Sequence, residues 1–160
     1  MRKILLILCI LMGFCGCSPS DGQSESAAEN LCTLLIDCST IFDNMNELES
    51  GKAELLPPDG VIFSGEVSFS DGETVFDLLK RVCAENRIHM EFSWTPLYGS
   101  AYIEGINNLY EFDCGSGSGW LYGVNGEFKN YGSSGCALQN GDVVEWRYTC
   151  DLGGDLKREE

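Results

Sequence analysis

One segment of the chain has the hydrophobic period of an α-helix, while the segments on either side have the period of β-strands. In "SDGETVFDLLKRVCAENR", residues 70–87, apolar residues recur at the spacing of one helix face: Val75, Leu78, Leu79, Val82 and Cys83. We predict Ser70 or Asp71 as the N-terminal cap and place the end of the helix near Asn86. A single amphipathic helix must bury its apolar stripe against a sheet, so the sequence predicts an α+β fold.

The strand-like segments suggest how that sheet is connected. Predicted strands cover residues 31–42, 61–70, 88–96, 119–124 and 143–149. The segment 101–119 is strand-like only at its start and then becomes a glycine-rich loop. The pairs Asn125-Gly126 and Asn140-Gly141 predict turns, the first within a hairpin. The order of two strands, one helix and several strands matches a β-grasp fold (a ubiquitin-like roll), in which one helix crosses a mixed sheet and the last strand lies beside the first.

The N-terminus, "MRKILLILCILMGFCGCSPS", has two basic residues followed by a short apolar run, the pattern of a signal peptide. The run is too short to be read as a membrane-spanning helix. Its end, "FCGC", resembles a bacterial lipobox, which implies lipidation of Cys17. We therefore expect a signal peptide at 1–16, a flexible tether at 17–30, one folded domain at 31–152 and a charged tail at 153–160.

These features predict an exported lipoprotein on the outer face of a bacterial cell membrane, with the lipid membrane as a partner through an N-terminal diacylglyceryl anchor. The chain has 10 basic and 25 acidic residues, a formal net charge of −15. That balance argues against nucleic acid binding through a basic surface. It also predicts that an anionic membrane would repel the domain rather than draw it onto the surface.

Six cysteines lie beyond the signal peptide and the proposed lipid site: Cys32, Cys38, Cys83, Cys114, Cys136 and Cys150. An even number in an exported chain predicts up to three disulfides. The spacing Cys-x-x-Cys is absent, so neither a zinc site nor a redox motif is indicated. Sequence alone does not select the connectivity; Cys114 with Cys136 is the favoured pair, because these two bracket the predicted hairpin.

The sequence predicts no enzyme, no catalytic residue and no metal site. The only histidine is His89, and no nucleophile elbow, phosphate loop or zinc motif occurs. Aromatic residues remain as candidates for binding. Trp146 is predicted to face the core and Glu145 and Arg147 the solvent, because they alternate along one strand. Trp120 is expected in the core, whereas Tyr122 and Tyr131 fit either the core or a binding wall.

The stretch "GWLYGVNG", with "NYG" close behind and then "LQNGDVVEWRYT", resembles the transcobalamin-like C-terminal domain family, and the helix "ETVFDLLKRVCAEN" resembles its bacterial members. The resemblance covers roughly residues 32–152 and implies a β-grasp fold. The family includes the second domain of the vertebrate cobalamin carriers, where it closes over a corrinoid held mainly by a separate helical domain. It also includes bacterial exported proteins.

The resemblance implies a non-enzymatic binding protein that needs no cofactor, whose ligand is a corrinoid or another small molecule delivered to a membrane transporter. Its candidate ligand-binding residues are Trp120, Tyr122, Asn125 and Tyr131. The alternative is a surface module of the adhesion type, which would bind a protein or glycan and would have no small-molecule site.

Overall fold

The computed structural model describes residues 29–96 and 99–156. The predicted signal peptide, the lipid site at Cys17 and nearly all of the tether lie outside the described residues, as do residues 157–160. Among the described residues, no helix has the length and apolar character needed to cross a bilayer.

The regular elements, in chain order, are β1 (Asn30–Asp37), β2 (Val61–Phe69), α1 (Val75–Asn86), β3 (Met90–Thr95), β4 (Ser100–Ile106), β5 (Leu109–Tyr110), β6 (Gly119–Val124), β7 (Glu127–Phe128) and β8 (Val143–Thr149). They form a five-stranded sheet in the order β2-β1-β8-β6-β7 and a three-stranded sheet in the order β3-β4-β5. β1 runs parallel to β8 and antiparallel to β2, and β6 runs antiparallel to β8. The predicted α+β, β-grasp arrangement is confirmed, with the last strand beside the first.

The helix and both sheets share one hydrophobic core. The predicted apolar stripe of α1 is buried, and it clusters with side chains that alternate along β1 and β8. Fully or almost fully buried members include Leu34, Ile36, Leu79, Val144, Trp146 and Tyr148. The prediction that Trp146 faces the core is therefore confirmed.

The first strand is shorter than the sequence predicted. β1 ends at Asp37, and residues Ser39–Asp43 form a 3-10 turn instead of continuing the strand to residue 42. The Asp37 carboxylate accepts hydrogen bonds from the backbone N–H and the hydroxyl of Ser39, at 3.2 and 2.8 Å. These local side-chain hydrogen bonds compete with the backbone hydrogen bonds between strands, and they turn the chain away from the sheet.

The outward face of β8 also differs from the prediction. Glu145 is buried, with 7% of its surface exposed, instead of solvated. The neighbouring Arg147 is half-buried and pairs with the buried carboxylate of Asp37, with 3.0 Å between Nε and Oδ1. Charged residues at alternate positions therefore did not mark a solvent-exposed face here.

Both Asn-Gly pairs form turns, but they do so differently. Asn125 and Gly126 have φ values of 56° and 81°, as a two-residue hairpin of the predicted type requires. At the second pair only Gly141 has positive φ, at 87°. There the Asn140 side chain accepts a hydrogen bond from the backbone N–H of Leu31 at 2.8 Å, which ties the turn to β1.

The helix is capped by Thr74 rather than by Ser70 or Asp71, although Asn86 is its last residue as predicted. The Thr74 hydroxyl accepts a hydrogen bond from the backbone N–H of Asp77 at 3.2 Å, and the Asp77 carboxylate accepts one from the backbone N–H of Thr74 at 3.2 Å. This reciprocal capping box satisfies two otherwise unpaired donors.

We expect Thr74→Ala to lower the free energy of unfolding by about 1 kcal/mol, because the first turn of α1 loses its cap. Urea denaturation of the purified domain measures this difference. Ser70→Ala is the matched control and should change stability by less than about 0.5 kcal/mol. Equal losses in the two variants would contradict the assignment of Thr74 as the cap.

Candidate binding site

A partly open cleft of about 440 Å³ lies between the two sheets, where β4 approaches β6 and β8. Its volume falls within the range of roughly 300–1,000 Å³ that is typical of small-molecule sites. Residues 129–133, which follow β7, form one rim, and the start of β4 forms another. The cleft is therefore bounded by strands of both sheets and by the segment that follows β7.

Aromatic side chains form the inner wall of this cleft. Trp120, Tyr122 and Trp146 all line it, and all three are largely buried. Strand alternation places Trp120 and Tyr122 on one face of β6, and the Tyr122 ring lies 5.3 Å from the ring of Trp146, centroid to centroid. The three residues therefore form an apolar floor to the cleft on two neighbouring strands, with no more than 8% of the surface of any of them exposed.

Hydrogen bonds fix two of these rings. The indole N–H of Trp120 donates to the carbonyl oxygen of Leu109 at 2.9 Å. The hydroxyl of Tyr122 donates to the backbone carbonyl oxygen of Tyr131 at 2.9 Å, which joins the wall to the rim. Burial is the main cause of the raised pKa of Tyr122, so this phenol stays protonated and remains a donor at physiological pH.

Tyr131 is the most exposed of the aromatic residues that line the cleft. Half of its surface (50%) is exposed, and its ring meets the Tyr122 ring edge-on at 6.3 Å. Its hydroxyl lies 3.6 Å from the Cys136 sulfur. Tyr102 on β4, which is 48% exposed, lines the opposite side of the cleft.

Polar groups at the cleft are few. The Lys129 ammonium lies at the rim and pairs with Glu127, and Ser100 and Ser133 contribute hydroxyls. The indole N–H of Trp146 is buried and has no hydrogen-bond partner within the part of the chain that the structure describes. An apolar wall with a small number of polar groups is the usual composition of a site that binds a small organic molecule.

Three of the four predicted ligand-binding residues, Trp120, Tyr122 and Tyr131, come together at the cleft, whereas Asn125 does not line it. The Asn125 amide instead donates to the carboxylate of Asp142 and accepts from the backbone N–H of Val143, both at 2.9 Å. Asn125 thus fixes the hairpin turn against the start of β8.

Sequence reasoning missed Trp146, Tyr102 and Lys129 as cleft residues. The alternation in β8 did place Trp146 on the inner face, but it did not show that this residue also borders a cleft. No sequence pattern indicated that Tyr102 lines the cleft, because the position of the second sheet follows from tertiary packing.

The described residues do not form a recognisable catalytic constellation. The side chain of His89 is 40% exposed and lies 3.4 Å from the Glu91 carboxylate. Burial raises the pKa of Cys38 and of Cys83 to about 12, so these thiols are poor nucleophiles near neutral pH. Within residues 29–96 and 99–156, no group of three or more histidines, cysteines or acidic residues is arranged to hold a metal ion.

The six predicted disulfide cysteines are all thiols in the structure, so disulfide bonding stays a prediction. The favoured pairing of Cys114 with Cys136 is not supported. The Cys136 sulfur lies against the Tyr131 hydroxyl beside the cleft, whereas the Cys114 sulfur lies against the backbone carbonyl oxygen of Asn44. The two cysteines bracket the hairpin in sequence, but their side chains have different neighbours in space.

Residues 72–150 match the family described as a domain of unknown function, DUF4430. No curated protein matches the chain. Among solved structures, haptocorrin in complex with Cbi matches with a TM-score of 0.54 and 13% identity, over 79% of this chain and 27% of that chain. A protein from Ruminococcus gnavus ATCC 29149, described as a candidate metal binding protein, matches with a TM-score of 0.45 and 16% identity, over 76% of this chain and 97% of that one.

The chain thus spans about a quarter of the haptocorrin chain that it matches. At this identity the likeness concerns the fold alone, and it agrees with the β-grasp arrangement of one helix and a mixed sheet. The sequence resemblance to the transcobalamin-like domain family is therefore supported at the level of fold.

Proposed function

We propose that this protein is a non-enzymatic binding protein whose ligand has a flat apolar part that enters the cleft between the two sheets. The observation that carries the proposal is the wall formed by Trp120, Tyr122 and Trp146 beside the half-exposed ring of Tyr131. Rigid aromatic rings give a large contact area with little loss of side-chain entropy. The buried, protonated thiols and the exposed histidine favour binding over catalysis.

A corrinoid is the first ligand class to test, because the fold resembles that of haptocorrin, which was solved in complex with Cbi. A whole corrinoid is larger than a cleft of about 440 Å³. Only one edge of the macrocycle or one of its side chains would enter, and the rest would lie over the rim. A smaller planar molecule would fit entirely, so the proposal covers both sizes of ligand.

The cellular setting is also part of the proposal. The signal-like N-terminus and the lipobox-like Cys17 support an exported lipoprotein held by a diacylglyceryl anchor on the outer face of a bacterial membrane. A flexible tether and a strongly acidic domain would keep the cleft away from an anionic lipid surface. Such a protein would capture its ligand outside the cell and pass it to a membrane transporter.

Titration of the domain with cobinamide and cobalamin, followed by calorimetry and tryptophan fluorescence, tests this function. Fluorescence should report binding, because Trp120 and Trp146 line the cleft. We expect Tyr131→Ala to weaken binding about tenfold, which corresponds to about 1.4 kcal/mol. The fold should tolerate this change, because half of the Tyr131 surface is already exposed.

Trp94→Ala is the matched control for that experiment. Trp94 is also an exposed aromatic residue, at 56%, but it does not line the cleft. Its replacement should leave the affinity unchanged. Equal loss of affinity in the two variants, or no saturable signal at high micromolar concentrations of either corrinoid and of smaller planar compounds, would refute binding in the cleft.

Trp94 also supports the second candidate function, a surface module that binds a protein or glycan. Trp94 and Phe92 lie on β3, an edge strand of the smaller sheet, and are 56% and 39% exposed. Exposed aromatics on an unpaired strand edge are suited to stacking on a sugar or to adding a partner strand. If Trp94→Ala abolishes attachment to glycans or cell surfaces while Tyr131→Ala does not, this second function is favoured.

A further inference from the structure

We propose that Cys114 and Cys150 form a disulfide when the protein folds under oxidising conditions. The two residues are far apart in sequence, but the structure places both side chains against the same short turn, on two segments that are packed together. This pair differs from the one that the sequence favoured. It links the segment before β6 to the first residue after β8.

The backbone holds these two positions together independently of the thiols. Gly119 pairs with Thr149 at the end of the ladder between β6 and β8. Beyond that pair, the backbone N–H of Leu152 donates to the carbonyl oxygen of Gly117 at 2.9 Å. A Cβ atom added to Gly117 would lie 3.2 Å from the carbonyl oxygen of Cys150. The segments that carry the two cysteines are therefore packed backbone to backbone.

Both sulfur atoms also face the same short turn. The Cys114 thiol lies 3.4 Å from the carbonyl oxygen of Asn44, and the Cys150 thiol lies 4.0 Å from the hydroxyl of Thr40. Asn44 and Thr40 are themselves joined by a hydrogen bond of 2.9 Å between the Asn44 amide and the Thr40 carbonyl. Two thiols against one turn, on segments in direct contact, are spatial neighbours, and only neighbouring cysteines can be joined by a disulfide.

Three other cysteines have different neighbours. The thiols of Cys32 and Cys38 lie against the carbonyl oxygens of Val67 and Gly60, at 3.6 and 3.3 Å. The sulfur of Cys136 accepts from the Tyr131 hydroxyl at 3.6 Å. Of these five cysteines, only Cys114 and Cys150 therefore lie against a common turn.

Bond formation is a two-electron oxidation that needs a disulfide as the electron acceptor, either a thiol oxidoreductase or glutathione disulfide. One cysteine thiolate attacks the acceptor, releases one thiol and forms a mixed disulfide. The second thiolate then displaces the other half of the acceptor, which leaves as a thiol. Burial and the contact with Cys114 raise the pKa of Cys150 to about 12, so the reaction is favoured before the two residues are fully buried.

Peptide mapping of the full chain tests the proposal directly. The reduced, denatured protein is refolded in a mixture of reduced and oxidised glutathione, alkylated, and digested with trypsin without reduction. Cleavage after Lys129 and Arg147 places Cys114, Cys136 and Cys150 on three separate peptides. We expect mass spectrometry to find the peptide that begins at residue 148 linked to the peptide that ends at residue 129. Alkylated Cys150, or Cys150 linked to the peptide 130–147, would overturn the proposal.

Thermal unfolding gives a second readout. The oxidised wild-type protein should melt roughly 10–20 °C above the reduced protein, because the bond closes a loop that contains β6, β7 and β8. The variant Cys114→Ala/Cys150→Ala should lose most of this difference, whereas Cys32→Ala should keep it. If Cys32→Ala abolishes the difference and the double variant retains it, the assignment is wrong. Mapping of the wild-type protein decides the question even if the double variant does not fold.

Discussion

Replacement of Gly132 by alanine is expected to lower the free energy of unfolding by about 2 kcal/mol and to weaken binding in the cleft. A Cβ atom at this position would lie 1.6 Å from the hydroxyl oxygen of Ser100 and 2.2 Å from its Cβ atom. Rotation of the serine side chain cannot relieve the second contact. The rim must therefore move away from β4. Overpacking of this kind typically lowers the free energy of unfolding by roughly 1–3 kcal/mol.

Gly135→Ala is the matched control, because it lies in the same segment and an added Cβ atom meets nothing within 4 Å. Its effect should stay within about 0.5 kcal/mol. The double variant Gly132→Ala/Ser100→Gly should recover most of the lost stability, since it removes the atoms that clash. Urea denaturation measures stability, and calorimetry with the ligand measures binding. A Gly132→Ala variant with wild-type stability and affinity would contradict the described packing of the rim.

The two tryptophans of the cleft wall should respond differently to the same substitution. We expect Trp120→Phe to lower the free energy of unfolding by about 1 kcal/mol more than Trp146→Phe, because only Trp120 donates a hydrogen bond from its indole N–H, to Leu109. Both residues are buried, at 8% and 2% exposure, so the loss of packing should be similar. Trp146→Phe even removes a buried donor that has no partner.

Denaturant unfolding followed by circular dichroism measures this difference without relying on the tryptophan signal that the substitutions change. Trp94→Phe serves as the exposed control and should be nearly neutral, since 56% of its surface is exposed. If Trp146→Phe is the more destabilising of the two buried substitutions, the indole N–H of Trp146 has a partner, or its ring carries more packing energy than its neighbour.

Much of the fold was predictable because the signals were local. The helix followed from the spacing of residues such as Leu78 and Leu79, and the hairpin followed from Asn125-Gly126, where both residues adopt positive φ. The errors arose where side chains or distant segments decide the outcome. Asp37 ended the first strand through its own carboxylate, and Thr74 displaced the predicted cap because Asp77 completes a capping box with it.

The cleft was predictable only in part. Alternation placed Trp120 and Tyr122 on one face, but whether that face is covered depends on where β4 lies, which no local pattern encodes. Asn125 was chosen for its place in the most recognisable stretch of the sequence, yet its side chain fixes a turn. A residue that helps to identify a fold family can therefore have a structural role and no contact with the candidate site.

The position of β8 between β1 and β6 also governs when the protein can fold. The other four strands of the larger sheet form two separate pairs, β2 with β1 and β6 with β7, and only β8 joins them. Because β8 follows the other four strands of this sheet in the chain, a growing polypeptide cannot complete the sheet until residues 143–149 have been made. Until β8 has been made, the two strand pairs lack the strand that joins them, so the larger sheet forms late in synthesis of the domain.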